Sequence, residues 1–344
     1  MYGRCNMGTR RTNRVPSSPR WLVAVGTTLG LLGAGIVLAP PAASDPATPT
    51  TPATWVANGS VDALVVDGTT AYLGGTFTSL GPSTGGSAAL AATGGAPSST
   101  WPKVTGTVSA ITSDGAGGWF LGGSFTAVGG AARTNLAHVL ADETVDPGWA
   151  PSPNSSVKAL ALVAGTLYVG GTFTASGGWP RGLAAVDATT GVVDTSWSAS
   201  PGLNADVNAL AVVGTTLYAG GAFSGRLAAI SLATGVIDTT WQPDPRSGNP
   251  DIKALAVAGT TLYVAGGFTN ITNITNRNSL VRFDTTTGNL DTAWNPNPFG
   301  GVLVNALAVD GTTLYAGGNF TTANTIGGQA RNRLAAIDIT PGAV

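Results

Sequence analysis

Cysteine is almost absent from this chain of 344 residues: the one copy, Cys5, stands close to the N-terminus. Beyond it no disulfide and no thiolate metal site can form. Histidine is as scarce. His138 is the one copy, which excludes a histidine metal cluster and leaves a histidine-dependent nucleophile a single place to sit. Three lysines and one glutamate, Glu143, are too few for long amphipathic helices with solvated faces. Charged residues are 10% of the chain, against about a quarter in an ordinary domain. The charge is also unevenly placed. All 17 acids lie at or after Asp45, while Arg4, Arg10, Arg11, Arg14 and Arg20 precede it. The part after residue 44 therefore sets 11 basic against 17 acidic residues, net −6. Nucleic-acid binding needs a basic face, so that class is excluded.

What the chain has is glycine, 50 copies, and apolar residues, 43%. Residues 1–44 read as an export signal. A basic stretch ends at Arg20, the uncharged run Trp21–Ala39 follows, and Ala42-Ala43-Ser44 offer small residues for cleavage before Asp45. Residues 45–53 are a Pro/Thr-rich spacer. The rival to cleavage is a retained anchor, since 19 apolar residues nearly span a bilayer. Cleavage is preferred for its glycines and small-residue exit, leaving no stable membrane insertion.

From residue 54 onward one sentence is written six times. In the last copy it reads VNALAVDGTTLYAGGNFT, Val304–Thr321. Its closing phenylalanines, Phe77, Phe125, Phe173, Phe223, Phe268 and Phe320, are 45 to 52 residues apart. A period of that size marks a repeat architecture. Each copy predicts a first strand V-x-A-[LI], buried on both faces, a turn, and a second strand with an aromatic and a Gly pair. A third strand L-A-A-[VI] and a fourth segment D-T-x-W follow. In repeat 5 the Gly pair is displaced by one, to Gly266-Gly267. The last copy ends after its third strand, and Ala53-Thr54-Trp55 supply a fourth segment with no strands before it. The expected fold is all-β: a six-bladed β-propeller over 54–344 with four-stranded blades, the ring closed by the N-terminal strand completing the last blade.

These motifs resemble the delta-60 repeat propellers, bacterial secreted and surface proteins whose molecular role is unassigned. The resemblance covers about residues 54–344. It implies a secreted, extracellular propeller and carries over no catalytic residue.

The recurring tryptophans Trp55, Trp101, Trp149, Trp197, Trp241 and Trp294 read as inter-sheet packing, with sugar stacking the sharper alternative. His138 stands where other repeats carry alanine (Ala185, Ala229, Ala336) and reads as a strand residue. The recurring aspartates read as turn and strand-end acceptors; the alternative is a carbohydrate-active hydrolase or lyase using rim aspartates. No catalytic residue, metal site or cofactor is expected, and the loop Asp244–Asp251 lacks calcium-loop spacing.

The connection between second and third strands varies most, and per-repeat insertions tend to map to a binding face. Arginines recur there: Arg133, Arg181, Arg226, Arg277, and Arg331 with Arg333. They are the candidate ligand-binding residues, for an anionic or polyhydroxyl ligand. The plainer alternative pairs each with a nearby aspartate or tryptophan. The expected function is an exported, monomeric, non-catalytic binding module at the bacterial surface or outside the cell, its partner an extracellular protein or a glycan. Cleavage of the export signal predicts a mature chain beginning at Asp45; N-terminal sequencing checks it, and a start at residue 1 would contradict it.

Overall fold

The computed structural model describes residues 60–340, apart from 68–69, 77–85, 92–97, 200–201, 242, 244, 272–276, 297–301, 321–324 and 327–328. The expected export signal, the spacer and the closing segment Ala53-Thr54-Trp55 lie outside the described residues.

The chain is all-β, and its six repeats form six small antiparallel sheets. The first holds β1 (Val61–Asp67), β2 (Thr70–Gly75) and β3 (Ser87–Ala91). The second holds β4 (Val104–Ser113), β5 (Trp119–Val128), the short β6 (Ala131–Ala132) and β7 (Leu136–Val139). The third holds β8 (Val157–Val163), β9 (Thr166–Gly171) and β10 (Leu183–Asp187), and the fourth β11 (Val207–Val213), β12 (Thr216–Gly221) and β13 (Leu227–Ser231). The fifth holds β14 (Pro245–Ala258), β15 (Thr261–Ile271) and β16 (Leu280–Asp284). The sixth holds β17 (Val304–Asp310), β18 (Thr313–Gly318) and β21 (Leu334–Asp338), with a separate ribbon of β19 (Thr325–Ile326) and β20 (Gln329–Ala330).

The second strand of each repeat lies in the centre of its sheet, between the first and third. That position changes the expected burial. In the third sheet β9 and β10 are buried nearly throughout, whereas β8 is buried at Val157 and Ala159 and only half-buried beyond. The first strand is therefore an edge, and the strand covered on both faces is the second. The D-T-x-W segment adds one antiparallel bridge in each of four sheets rather than a full strand: Val139 with Val145, Val186 with Val193, Ile230 with Ile237, Phe283 with Leu290. Of the loop Asp244–Asp251, the described residues 245–251 belong to β14, with Pro245 facing Ile271 across the β14–β15 pair.

Every first strand slips register at V-x-A. Val157 faces Gly171 and Ala159 faces Gly170, so Lys158 is the extra residue of a bulge, and the slip recurs in all six sheets. The Gly pair is what admits it. A Cβ on the second glycine would lie 2.3 Å from the Ser156 carbonyl oxygen at Gly171, and 2.0 Å from that of Asp206 at Gly221. The first glycine receives the next sheet. A Cβ on Gly170 would lie 2.9 Å from Val207 Cγ1, and one on Gly122 would lie 2.4 Å from Val157 Cγ1. Repeat 5 keeps this geometry. Ala265 occupies the first position, facing Ala254, and Gly266 the second, 2.3 Å from the Asp251 carbonyl by the same measure. The displaced pair of the sequence is thus a Gly-to-Ala exchange followed by an added glycine.

First strands pack on one another in chain order, β1 on β4, β4 on β8, β8 on β11, β11 on β14 and β14 on β17. The core lies between successive sheets. Trp149 packs with Phe120 of its own sheet and Leu167 and Val186 of the next, and Trp197 with Tyr168, Leu217 and Ile230. Trp197 Nε1 donates to the Leu232 carbonyl at 2.9 Å, and Trp241 Nε1 to that of Gly288 at 3.0 Å, each in the following repeat. A tryptophan buries on the order of 150–250 Å², so each such seam gains roughly 4–6 kcal/mol at about 25 cal/mol per Å².

The two glycines should differ in tolerance. Gly171→Ala meets a carbonyl that the bulge holds fixed and should lower unfolding free energy by ~3 kcal/mol or more. Gly170→Ala imitates Ala265 and should lose about 1 kcal/mol. Urea denaturation measures both, and equal losses would contradict the assignment.

Candidate functional site

The arginines expected at a ligand rim have partners of several kinds. Arg133 donates to the carbonyls of Ala132 at 2.8 Å and Asp146 at 2.7 Å. Buried Arg277 donates to those of Trp294 at 3.1 Å and Thr292. Both thus tie the third-strand entry to the repeat's own D-T-x-W segment. Arg226 crosses to the next repeat, where Nη1 meets Asp251 Oδ1 at 2.8 Å; Lys253 flanks the same carboxylate at 3.5 Å. Arg181 is exposed and reaches the Asn204 carbonyl at 3.3 Å. Arg331 and Arg333 are exposed. None of these described contacts joins two of the arginines.

A second cluster was not legible in the sequence. His138, on β7, lies 8% exposed between two carboxylates. Its Nδ1 is 2.9 Å from Asp146 Oδ2 and its Nε2 is 3.1 Å from Asp114 Oδ2. The ring stacks on Phe120 at 4.4 Å and meets Trp149 edge-on at 5.8 Å. Asp114 comes from the β4–β5 turn, where its Oδ1 accepts from the backbone N–H groups of Ala116 and Gly118. Asp146 leads the fourth segment and caps Gly148 N. Burial pushes both carboxyls up, but the bonds from Ala116, His138 and Gly118, and from His138 and Gly148, outweigh it and hold both below the usual value. Both ring nitrogens face acceptors, so the doubly protonated ring satisfies both carboxylates. Both nitrogens of the imidazole are thus taken by carboxylates.

The fifth sheet repeats the arrangement with an arginine. Arg282 faces Tyr263 across β15–β16, as His138 faces Phe120 across β5–β7. Arg282 Nη2 lies 2.7 Å from Asp291 Oδ2 and Nε 2.9 Å from the same oxygen, and the guanidinium covers Trp294 at 5.0 Å. Asp291 is held below the usual carboxylate range: burial raises it, and Arg282 with the backbone N–H groups of Trp294 and Ala293 more than offsets that. In the fourth sheet the equivalent residue is Ala229, facing Tyr218.

Where Arg282 stands, a hollow of about 150 Å³ remains, lined by Tyr263, Arg282 and Asp291 among others. Where Ala229 stands, the hollow is a cleft of about 740 Å³ between the fourth and fifth sheets. Its walls include Tyr218, Asp238, Trp241, Thr216, Thr240 and Asn289. Trp241 is half-buried, whereas Trp294 under its arginine is 2% exposed. Asp238 Oδ1 accepts from Thr240 Oγ1 and N, which hold its carboxyl low. Burial, then the nearby Asp238 charge, pushes the Tyr218 hydroxyl up. Among the described residues no group of three His, Cys, Asp or Glu is placed to hold a metal ion.

The His138 clamp has a signed pH dependence. Asp114 and Asp146 titrate lower folded than unfolded, so between those values the unfolded chain binds more protons and stability rises with pH. Their contribution is complete above the ordinary value of 3.8 and is lost as pH falls through the lowered folded values. Urea midpoints should fall on acidification below pH about 4, and less steeply for Asp114→Asn; equal slopes would contradict the clamp.

No protein-family model and no curated relative matches the chain. Solved structures do. The computationally designed Ika8 protein aligns at 15% identity and TM-score 0.52, over 83% of this chain and 72% of that one. The extracellular domain of BT4673 from B. thetaiotaomicron aligns at 14% identity and TM-score 0.51, over 81% of this chain. The present chain spans 33% of that structure's length. The Neurospora crassa Pan2 WD40 domain aligns at 13% identity and TM-score 0.48, over 75% of each chain. Identities this low concern the fold alone: the chain is all-β, made of six small antiparallel sheets, with propeller-like proteins among its structural neighbours. No helix among the described residues is long and apolar enough to cross a membrane.

Proposed function

We propose that the chain is an exported, non-catalytic β-propeller of six blades, of the delta-60 kind, that binds an extracellular protein or glycan. The fourth strand of each blade is then the D-T-x-W segment, reduced to its single bridge, and Ala53-Thr54-Trp55 complete the last blade. The observation that carries the binding reading is the cleft of about 740 Å³ between the fourth and fifth sheets, walled by Trp241, Tyr218, threonines and Asp238. One aromatic wall with a few convergent polar groups is what small-ligand sites are made of.

The chemistry of the aspartates supports binding over catalysis. A general acid needs a carboxyl raised toward neutrality. Asp187, Asp194, Asp238 and Asp284 are instead held low by the hydroxyls and N–H groups they cap. Of the candidate arginines, Arg181, Arg331 and Arg333 are exposed and belong to the ligand-facing surface on this reading.

A glycan and polysaccharide array with the full chain, with and without Ca²⁺, tests it, alongside capture of extracellular proteins. Saturable binding that is indifferent to Ca²⁺ and leaves the ligand intact is the expected outcome. Release of reducing ends from a bound glycan would overturn the non-catalytic assignment.

A further inference from the structure

We infer that the cleft over Ala229 is a binding site for a guanidinium group, supplied by an arginine side chain of a protein partner. The molecule itself shows what fits. In the fifth sheet Arg282 rises from the third strand, pairs with Asp291 Oδ2 at 2.7 Å, lies 5.0 Å over Trp294 and faces Tyr263. In the second sheet His138 does the same with Asp146 Oδ2 at 2.9 Å, against Trp149 and Phe120. The fourth sheet keeps the receiving half of this arrangement, Asp238, Trp241 and Tyr218, and replaces the cation with the methyl group of Ala229.

The two hollows correspond wall by wall. Thr261, Tyr263, Phe283, Asp284 and Asp291 line the small one; Thr216, Tyr218, Ile230, Ser231 and Asp238 line the large one in the same strand positions. The difference is that Arg282 lines the first and Ala229 the second, and that Trp241 is uncovered where Trp294 is not. The described hydrogen bonds to the Asp238 side chain both end on Oδ1. Oδ2, the atom that meets His138 in Asp146 and Arg282 in Asp291, takes part in neither of these bonds. A carboxylate beside a tryptophan face binds a planar cation by charge-assisted hydrogen bonds and by cation–π attraction. The net charge of −6 after residue 44 draws cationic partners in the same direction. A neutral glycan would stack on Trp241 and donate hydroxyls to the carboxylate, but would bring no charge to neutralise it.

This inference rests on the reading of the chain as a binding module and names the chemistry of its partner. The probe is Nα-acetyl-arginine amide, titrated into the full chain by calorimetry against Nα-acetyl-citrulline amide, its neutral isostere. The arginine compound should bind at least about tenfold more tightly, the range a charge-assisted bond supplies. Asp238→Asn, which keeps the cap on Thr240, should remove that preference. Ala229→Arg should fill the site from within, abolish binding and raise the melting temperature. Equal affinity for citrulline, or an arginine preference that survives Asp238→Asn, overturns the inference, and Asp238→Asn decides it even if Ala229→Arg does not fold. If arginine fails while a glycan or protein partner binds the unchanged chain, the guanidinium site falls and the binding module stands. If nothing binds, both fall.

Discussion

The approach of one backbone to another at the second glycine of each repeat is the constraint from which the rest of the structure follows. The carbonyl before each V-x-A step lies close to where the Cβ of Gly123, Gly171, Gly221, Gly266 or Gly318 would be, at 2.0 to 2.3 Å. That contact goes with the bulge at V-x-A, where the leading valine or isoleucine stays paired with the second glycine and packs onto the preceding sheet. There it meets the first glycine, whose missing side chain makes the room. One local contact therefore shapes the sheet and joins it to its neighbour. Five such junctions in chain order place the tryptophans between sheets, where Trp149, Trp197 and Trp241 each find a carbonyl of the following repeat.

Within this frame the third residue of the third strand is free to vary, and its variation sets the local chemistry. A buried cation is tolerated only with a partner close by. Both basic side chains found there, His138 and Arg282, have one in the aspartate that opens the fourth segment, since the Val139–Val145 and Phe283–Leu290 bridges bring that aspartate alongside. Alanine at the same place needs no partner, and the aspartate keeps only the turn cap that its Oδ1 makes in all four sheets, for Gly148, Ser196, Thr240 and Ala293. The role of the acid is set by a residue that lies nine positions before it in each case but one, where it is eight.

The repeat period, the antiparallel sheets, the packing of the tryptophans and the capping role of the aspartates were all legible in the sequence, because each recurs through the repeats. Two readings failed where recurrence was ambiguous. Both strands flanking the hairpin turn are apolar, and only the topology shows that the second lies in the middle. Counting glycines suggested a displaced pair in repeat 5, whereas the bulge, which lies on the partner strand, shows an exchange at Ala265. The His138 cluster was hidden for another reason. His138 and Asp114 are 24 residues apart, and the turn that carries Asp114 departs from the other five turns. Arg282 stood within an ordinary apolar strand, LVRFD, and drew no notice. Both are departures from the L-A-A-[VI] pattern at one position, and that shared position was the available signal.

Internal repetition also bears on how strongly such a site can bind. Arg282 is delivered to Asp291 and Trp294 by its own strand, so its ordering is shared with the folding of the sheet. A guanidinium from outside must give up translational and rotational freedom to reach the same contacts, which takes several kcal/mol from the interaction. A lone arginine side chain in the Ala229 cleft is therefore a weak ligand even where its contacts reproduce those of Arg282. Affinity that matters outside a cell has to come from what surrounds that anchor. The cleft is several times larger than a guanidinium needs, and Thr234, Thr285, Thr286, Thr287 and Asn289 extend its walls with hydroxyl and amide groups. Such a surface suits a partner that places one arginine at the centre and polar backbone or side chains around it, the arrangement in which a single buried anchor carries most of the energy and its rim excludes water.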